Sequence, residues 1–489
     1  MREHVLAIDE GTTGVTALVL DQQAKVIGRA YGEVPQSYPK PGWVEQDPLV
    51  ILATVEAVGQ QALRAACLDA SRLASIGIAN QRETTVLWDR RTGNPVAPAI
   101  VWQDKRTAAR CTALQPRWER EVRRRTGLVL DPYFSATKLE WLLKDPKLKA
   151  RAKRGELAFG TIDAWLAARL TGNHVTDVTN ASRTLLWNIR KGGWDDELLQ
   201  LFGVPEGILP DVVPSSGAIG TTTAFGSEVP IASLVGDQQA ALFGQGCTRP
   251  GESKCTYGTG AFLLQHAGAT AVASRHGLLT TRAASLDNKA QFALEGAVFT
   301  AGAAIQWLRD QLGLFATAPE INALAEQVKD TAGVVVVPAF TGLGAPHWDS
   351  EARGAIFGLT RATDRRHIAR AMLESIAQQC ADVLFAMEKD SGRRLPRLRV
   401  DGGASQSDVL LQMQADLLQR PVVRPANVET TAMGAGFLAG IATGLWGLDD
   451  VRKPVAGDVA VRPKQKPGAV AEGRKAWAAA VAATRSFRA

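Results

Sequence analysis

The sequence predicts an α/β protein built from two domains of similar plan. Short apolar runs, HVLAID at 4–9 and VTALVLD at 15–21, have strand composition and are separated by the polar turn EGTTG. The same arrangement returns in ESKCTYGTGAFLLQHAG at 252–268, with YGTG as the turn. Helix-like segments alternate with these runs, as in α/β architectures. Pro and Gly in TRPGES interrupt the pattern near residue 250, so we expect domains of 1–248 and 249–489.

Three segments have the spacing of amphipathic helices. The first starts at Asp47, an N-cap type of residue, followed by Pro48 at the first helical position and by apolar residues at i, i+3 and i+4. Similar segments run from Thr300 to Leu312 and from Asp364 to Met387.

The composition is that of an ordinary globular protein. The 489 residues are 46% hydrophobic and 21% charged, and no apolar run approaches the ~20 residues of a membrane span. Five cysteines without a CxxC pair argue against a disulfide framework or a zinc site. The strand-like run begins four residues into the chain, without a signal sequence ahead of it. We therefore expect a cytoplasmic protein with no transmembrane segment.

The net charge of +7 raises nucleic acid as a partner. The basic residues are scattered, however, and their densest runs are interleaved with acids, which is typical of solvated helix faces. We expect no nucleic-acid partner, although the positive field would help to gather anionic nucleotides.

Three glycine-containing turns carry the predicted chemistry: DEGTT at 9–13, YGTG at 257–260 and DGGA at 401–404. Each follows a strand-like run, and glycine lets a backbone approach a phosphate closely. Asp9 adds a carboxylate that could hold Mg²⁺, usually through water. One such turn alone is typical of an ordinary hairpin, but three in this order are more specific.

This order resembles the phosphate and adenosine motifs of the actin, hexokinase and Hsp70 superfamily. The resemblance implies two RNase H-like domains with the active site in the cleft between them. The chain has no Walker GxxxxGK[ST] and no HRD or DFG set, which excludes the other two common designs for phosphoryl transfer.

Further segments make the sequence similar to the glycerol kinases of the FGGY carbohydrate kinase family. YFSATKLEWLLKD at 133–145 and GAIFGLTRATDRRHIARAMLE at 354–374 fit the two family signatures. NQRETT, TNASRT, GDQQAALFGQ and LEGAVFTAGAAIQWLRD are also similar, and the resemblance runs from about residue 4 to 450. It implies transfer of the γ-phosphoryl group of MgATP to glycerol, which gives sn-glycerol 3-phosphate, by a homodimer or homotetramer.

The resemblance also implies the residues of both substrate sites. A triol needs hydrogen-bond donors and acceptors beside an apolar wall, and the matching residues supply them. The implied glycerol-binding residues are Arg82, Glu83, Trp102, Tyr133, Asp237, Gln238 and Phe262. The implied nucleotide-binding residues are Thr12, Thr13, Gly14, Thr259, Gly302, Gln306, Gly403 and Ser407, with Asp9 toward Mg²⁺.

Asp237 is the predicted general base. None of the six histidines falls in NQRETT, YFSATKLEWLLKD or GDQQAALFGQ, the segments of the implied acceptor site, so a carboxylate must accept the hydroxyl proton. The alternative is a structural Asp that caps a helix starting at Gln238, and the two roles are compatible because the helix dipole favours an ionised carboxylate.

Three residues depart from the family pattern. Glu10 replaces a Gln and Thr16 stands where an Arg contacts phosphates, while Ser407 replaces an Asn near adenine. An acid beside a triphosphate is unfavourable unless it points away or is protonated. These departures bear on nucleotide affinity more than on reaction type.

Two other functions remain open. The first is an FGGY kinase of another polyol or of a pentulose, although QRET and GDQQAALFGQ favour glycerol. The second is a non-catalytic actin-like protein that binds nucleotide, and retention of Asp9, Thr259 and Asp237 together argues against it.

The segment AIGTTTAFGSEVP at 218–230 predicts insensitivity to fructose 1,6-bisphosphate. Some bacterial glycerol kinases bind this inhibitor here through a Gly-rich loop and an Arg, and others are activated by phosphorylation of a His in this region. This segment has no Lys, Arg or His and carries Glu228, so a bisphosphate would lack cationic partners. Glycerol kinase activity should be unchanged by millimolar fructose 1,6-bisphosphate at a protein concentration that maintains any oligomer. Strong inhibition would contradict the prediction.

Overall fold

The computed structural model describes residues 2–453 and 457–487. The strands are β1 (His4–Glu10), β2 (Gly14–Leu20), β3 (Val26–Glu33), β4 (Glu45–Gln46), β5 (Leu73–Asn80), β6 (Val86–Asp89), β7 (Ala99–Ile100), β8 (Leu157–Gly160), β9 (Val175–Asp177), β10 (Trp187–Asn188), β11 (Gly193–Trp194), β12 (Asp211–Val213), β13 (Ser216–Thr222), β14 (Val229–Gly236), β15 (Ser253–Tyr257), β16 (Ala261–Gly268), β17 (Leu279–Arg282), β18 (Phe292–Val298), β19 (Val335–Val337), β20 (Ala355–Phe357), β21 (Leu398–Asp401), β22 (Val422–Arg424) and β23 (Val459–Val461). The α-helices are α1 (Pro48–Ala65), α2 (Ala108–Thr126), α3 (Ser135–Leu142), α4 (Pro146–Lys153), α5 (Ile162–Thr171), α6 (Val178–Ala181), α7 (Asp196–Phe202), α8 (Asp237–Gly244), α9 (Gly302–Asp310), α10 (Glu320–Glu326), α11 (Arg365–Ser391), α12 (Asp408–Leu418), α13 (Thr430–Ala442), α14 (Leu448–Arg452) and α15 (Pro467–Ser486).

Two large sheets share one strand order. The first runs β13-β14-β5-β1-β2-β3, and the second runs β17-β18-β16-β15-β21-β22-β23. In the first sheet the antiparallel strands β3, β2 and β1 are followed by β5 and β14, which are parallel to β1. In the second sheet β18, β16 and β15 are likewise followed by the parallel strands β21 and β22. This shared order confirms the predicted α/β fold with two domains of similar plan.

The predicted helices form as their sequence signals indicate. At the start of α1 the Asp47 carboxylate accepts the backbone N–H of Leu49 at 2.8 Å, and Pro48 occupies the first helical position. The segments predicted at 300–312 and 364–387 correspond to α9 and α11. Among the described residues, no helix combines the length and the apolar character that a membrane crossing requires.

Helix α13 belongs to the second half of the sequence but packs on the first sheet. It contacts β1, β5 and the neighbouring helix α8. The approach is backbone to backbone: a Cβ atom on Gly434 would lie 1.9 Å from the carbonyl oxygen of Ala240, and one on Gly77 would lie 2.1 Å from that of Ala435. Buried side chains of both halves therefore share one core cluster, which includes Val5 and Leu438.

We predict that Gly434→Ala destabilises the protein by about 1 to 3 kcal/mol, because the added methyl group forces α13 away from α8. The matched control is Gly473→Ala in α15, where a Cβ atom meets nothing closer than Gln378 Nε2 at 3.9 Å. The control should be neutral or stabilising by up to about 1 kcal/mol, since alanine favours helix. Chemical denaturation measures both changes, and equal stabilities would contradict the predicted contact.

Candidate active site

The carboxyl ends of the parallel strands bring the predicted residues together. In the first sheet Glu10 of β1 aligns with Asn80 of β5, which in turn aligns with Gly236 of β14. Asp9, Arg82 and Asp237 therefore lie at neighbouring strand ends, where open α/β sheets bind their ligands. In the second sheet Thr256 aligns with Asp401, so the YGTG and DGGA turns also start side by side.

The turn between β1 and β2 is held by hydrogen bonds to its backbone and to one hydroxyl. The Gly11 N–H donates to the Gly14 carbonyl at 3.0 Å, and the Trp102 indole Nε1–H donates to Thr12 Oγ1 at 2.8 Å. The Val34 N–H donates to the Thr13 carbonyl at 3.0 Å. The turn that the sequence predicts to bind phosphate is thus fixed next to the predicted aromatic wall.

Glu10 is buried against Gln81. Its side chain is fully buried, and Oε1 accepts the Nε2–H of Gln81 at 3.0 Å. Burial raises the pKa of Glu10 well above its usual range, and the charge of Asp9 adds to this effect. The raised pKa favours the neutral form of Glu10, which lessens the repulsion toward a triphosphate that the sequence alone left open.

Asp9 faces an acidic neighbourhood. Burial raises the pKa of its carboxyl well above the usual range, and the charges of Asp237, Glu429 and Asp401 raise it further. A cation would relieve this repulsion, so the oxygen donors present suit a hard ion such as Mg²⁺. Within residues 2–453 and 457–487, no cluster of three His, Cys, Asp or Glu could hold a metal by itself. A magnesium ion would therefore take most of its ligands from water and nucleotide.

Thr16 lies beside this carboxylate. It pairs with Asp9 across the β1–β2 ladder, and directly opposite residues place their side chains on the same face. The position at which the family has an Arg is therefore next to the predicted metal-binding residue.

Lys254 brings a buried positive charge to the cleft. Its ammonium donates to Thr256 Oγ1 at 2.8 Å and to Gln238 Oε1, so it links β15 of the second sheet to α8 of the first half. Burial lowers the pKa of Lys254, while the charges of Asp401 and Asp237 oppose that shift. This ammonium offsets part of the acidic charge around Asp9.

Asp237 is held by three donors at the start of α8. Oδ1 accepts the backbone N–H of Gln238 at 2.6 Å and lies 3.1 Å from Arg82 Nε, while Oδ2 accepts Gln238 Nε2–H at 3.1 Å. The Asp237 side chain keeps 28% of its surface exposed, whereas that of Arg82 keeps 1%. Helix α8 begins at Asp237, its N-cap is Gly236, and no side chain caps it, so the capping role considered from sequence is wrong while the carboxylate stays accessible.

Trp102 and Phe262, which the family resemblance suggests as an aromatic wall, lie beside Tyr133, and the three rings form one aromatic wall. The ring centroids of Trp102 and Tyr133 are 5.4 Å apart, and those of Trp102 and Phe262 are 6.5 Å apart, both edge to face. The Tyr133 hydroxyl lies 3.5 Å from Arg82 Nη2, so the wall borders the charged residues.

One predicted nucleotide residue, Gly302, packs against the YGTG turn. The N–H of Gly302, which starts α9, donates to the Gly258 carbonyl at 3.0 Å, and a Cβ atom there would lie 2.6 Å from that oxygen. Gln306 follows one helical turn later, and Gly403 begins a short helical turn after β21. The Ser407 hydroxyl caps α12 through the Leu410 N–H and donates to Asn322, so its hydrogen bonds are already used. Nucleotide contacts for these residues stay a prediction.

Sequence reasoning missed three charged residues of the cleft: Arg183, Lys254 and Glu295. Arg183 contacts Glu83, Lys254 contacts Gln238, and Glu295 contacts Arg82. Arg183 and Glu295 belong to the segments TNASRT and LEGAVF, which matched the family without receiving a role. For Lys254 and Glu295 the available signal was a charged residue inside a strand-like run, since such residues are rarely buried unless they are paired.

Comparison with known proteins agrees with this geometry. Residues 4–244 match the N-terminal domain and residues 253–443 the C-terminal domain of the FGGY family of carbohydrate kinases. The chain is 51% identical to a glycerol kinase of Deinococcus radiodurans, covering 100% of this chain and 99% of that one. It is 56% identical to a glycerol kinase of Trichlorobacter lovleyi over 90% of each chain.

Solved structures are similar over the whole chain. The structure of Plasmodium falciparum glycerol kinase with ADP has a TM-score of 0.93 at 33% identity and covers 98% of both chains. A xylulose kinase from Rhodospirillum rubrum has a TM-score of 0.88 at 25% identity and covers 99% of both. The strand order, the paired family domains and these similarities lead to one conclusion: the chain belongs to the FGGY family of carbohydrate kinases.

Proposed function

We propose that this protein transfers the γ-phosphoryl group of ATP to glycerol and forms sn-glycerol 3-phosphate. The observation that carries the proposal is the partly exposed Asp237 carboxylate, fixed beside Arg82 and the Trp102–Tyr133–Phe262 wall. A carboxylate, a guanidinium and an aromatic surface suit the hydroxyls and the carbon edge of a small triol. The glycerol kinases to which the chain is 51% and 56% identical support the same substrate.

In the proposed reaction Asp237 accepts the proton of the attacking hydroxyl. The glycerol oxygen forms a bond to the γ-phosphorus as the bond to the ADP oxygen breaks, and ADP leaves with those electrons. Arg82 and the Gln238 N–H hold Asp237 Oδ1 in place. Mg²⁺, bound with ATP, would neutralise charge on the transferring phosphoryl group, and Asp9 would hold it through water.

The remaining parts of the proposal concern organisation. We propose that residues 1–248 carry the polyol site and residues 249–489 most of the nucleotide site. Thr12, Thr13 and Gly14 would contact phosphates from the first domain. The family resemblance supports a homodimer or homotetramer in the cytoplasm.

The substrate assignment is tested by ADP release from glycerol, erythritol, xylulose and ribulose at equal concentrations. We expect glycerol to have the highest kcat/KM. A higher value for a pentulose would support the other FGGY activity, for which the similarity to xylulose kinase is the existing indication.

We predict that Asp237→Asn lowers kcat for glycerol phosphorylation by about 10² to 10⁴, the usual contribution of a general base. An amide keeps the shape of the carboxylate but cannot take the proton. ATP binding, measured by calorimetry, should be nearly unchanged. A variant that keeps more than about a tenth of the wild-type kcat would show that Asp237 is not the base.

We also predict that Arg82→Ala raises KM for glycerol by roughly 10- to 150-fold, since a hydrogen bond from a charged donor contributes about 1.5 to 3 kcal/mol. The change in KM for ATP should be much smaller. Initial rates at varied concentrations of each substrate separate the two effects. Equal increases in both KM values would mean that Arg82 supports the cleft generally.

A further inference from the structure

Four buried side chains form a ring of alternating charge that includes two predicted polyol-binding residues, Arg82 and Glu83, whose Nε and Oε1 lie 4.0 Å apart. Arg82 Nη1 lies 2.7 Å from Glu295 Oε2, and its Nη2 donates to Glu295 Oε1 at 3.0 Å. Glu295 Oε1 also lies 3.1 Å from Arg183 Nη2, and Arg183 Nε donates to Glu83 Oε1. All four side chains are at most 2% exposed.

The ring crosses between the two halves of the molecule. Glu295 lies on β18 of the second sheet, whereas Arg82 and Glu83 follow β5 of the first sheet and Arg183 follows α6. Arg82 therefore has its bidentate carboxylate partner on the opposite side of the cleft. The same segment continues from Glu295 to Gly302 at the start of α9, beside the YGTG turn.

A contribution to folding stability does not by itself explain this ring of buried charges. Burying ion pairs often gives no net stabilisation relative to apolar residues of the same volume. Within the described residues, Arg183 Nη1 is buried without a hydrogen-bond partner, and Glu83 has a φ of 63°, which a non-glycine residue rarely adopts. Strained backbone and buried charge that persist together are typical of functional sites.

The charges of Arg82 and Arg183 keep the Glu295 carboxylate ionised. Burial alone would raise the pKa of Glu295, but Arg183 and Arg82 outweigh it and hold that pKa at about 2. Glu295 is thus an anion at neutral pH, shared between two guanidinium groups.

The ring also contacts the residues predicted to bind glycerol. Arg82 Nε reaches Asp237, and the Arg183 guanidinium lies over the ring of Tyr133, 5.4 Å from its centroid. We propose that Glu295 and Arg183 are positioning residues for the polyol site: Glu295 orients Arg82 from the opposite domain, and Arg183 orients Glu83 and Tyr133. The polyol site is then complete only when the two domains are apposed. This inference rests on the proposed function for the identity of the polyol.

The test compares Glu295→Gln with wild type. The amide keeps the shape but removes the anion that holds both arginines, so Arg82 loses its preferred orientation. We expect KM for glycerol, and its Kd from calorimetry, to rise by at least about tenfold, while KM for ATP changes by less than about twofold; tenfold corresponds to about 1.4 kcal/mol. Glu295→Asp, which restores the charge on a shorter side chain, should recover part of the loss.

Asp195→Asn is the matched control. Asp195 is a buried carboxylate, 2% exposed and 2.9 Å from Arg125 Nη1, so its removal also breaks a buried ion pair, but wholly within the first half. This control should lower the melting temperature without moving either KM value. A purely structural role for the ring would make the two variants behave alike.

Three results would overturn the proposal. One is a wild-type glycerol Kd in a folded Glu295→Gln variant, and another is a rise in KM for glycerol in Asp195→Asn as large as that in Glu295→Gln. The third is failure of both Glu295→Gln and Arg183→Lys to fold when Asp195→Asn folds, since this would assign the ring to folding. Failure of the proposed function is seen separately: wild type would then turn over another polyol, and the same variants would be compared with that substrate.

Discussion

The ion pair between Arg82 and Glu295 is the constraint on which the cleft depends. Each charge is buried, so neither can be left without its partner at an acceptable free energy. The two residues come from different sheets, and their bidentate contact fixes how the two carboxyl edges face each other. Arg82 also contacts Asp237 and Tyr133, two of the residues predicted to touch the polyol.

A second constraint is the close packing of helix α13 against the first sheet and helix α8. Helix α13 returns from the second half and lies against α8 so closely that Gly434 and Gly244 have no room for a Cβ atom. The Thr430 hydroxyl at its start donates to Asp401, whose other donor is Gln245 Nε2 at the end of α8. The DGGA turn, which begins at Asp401, is therefore bonded to both halves of the chain. A change in how the two halves are arranged must act on this turn as well as on the polyol-binding residues.

Charge balance explains how several carboxyl groups lie close to Asp9 in the cleft. Burial and three neighbouring carboxyl groups raise the pKa of Asp9. Without a compensating cation, carboxyl groups this close together would resist ionisation. The charges of Asp401 and Asp237 favour the ammonium form of Lys254, and burial raises the pKa of Glu10, whose Oε1 accepts a hydrogen bond from Gln81. The residual negative charge suits a nucleotide that arrives with a divalent cation.

The sequence by itself determined the elements and the chemistry carried by contiguous motifs. Strand-like runs, the cap at Asp47 and the glycine turns depend on local backbone preference, which a short window of residues encodes. Family-like motifs also placed Arg82 and Asp237 in one site, and the strand registers bring them to neighbouring strand ends. Only the tertiary structure decided the partners of the buried charges. Glu295 lies 213 residues from Arg82 in the chain. Lys254, on β15 of the second sheet, lies 16 residues from Gln238, on helix α8. Such pairing is set by how two sheets pack, and sequence periodicity contains no information about which charge meets which across a domain interface.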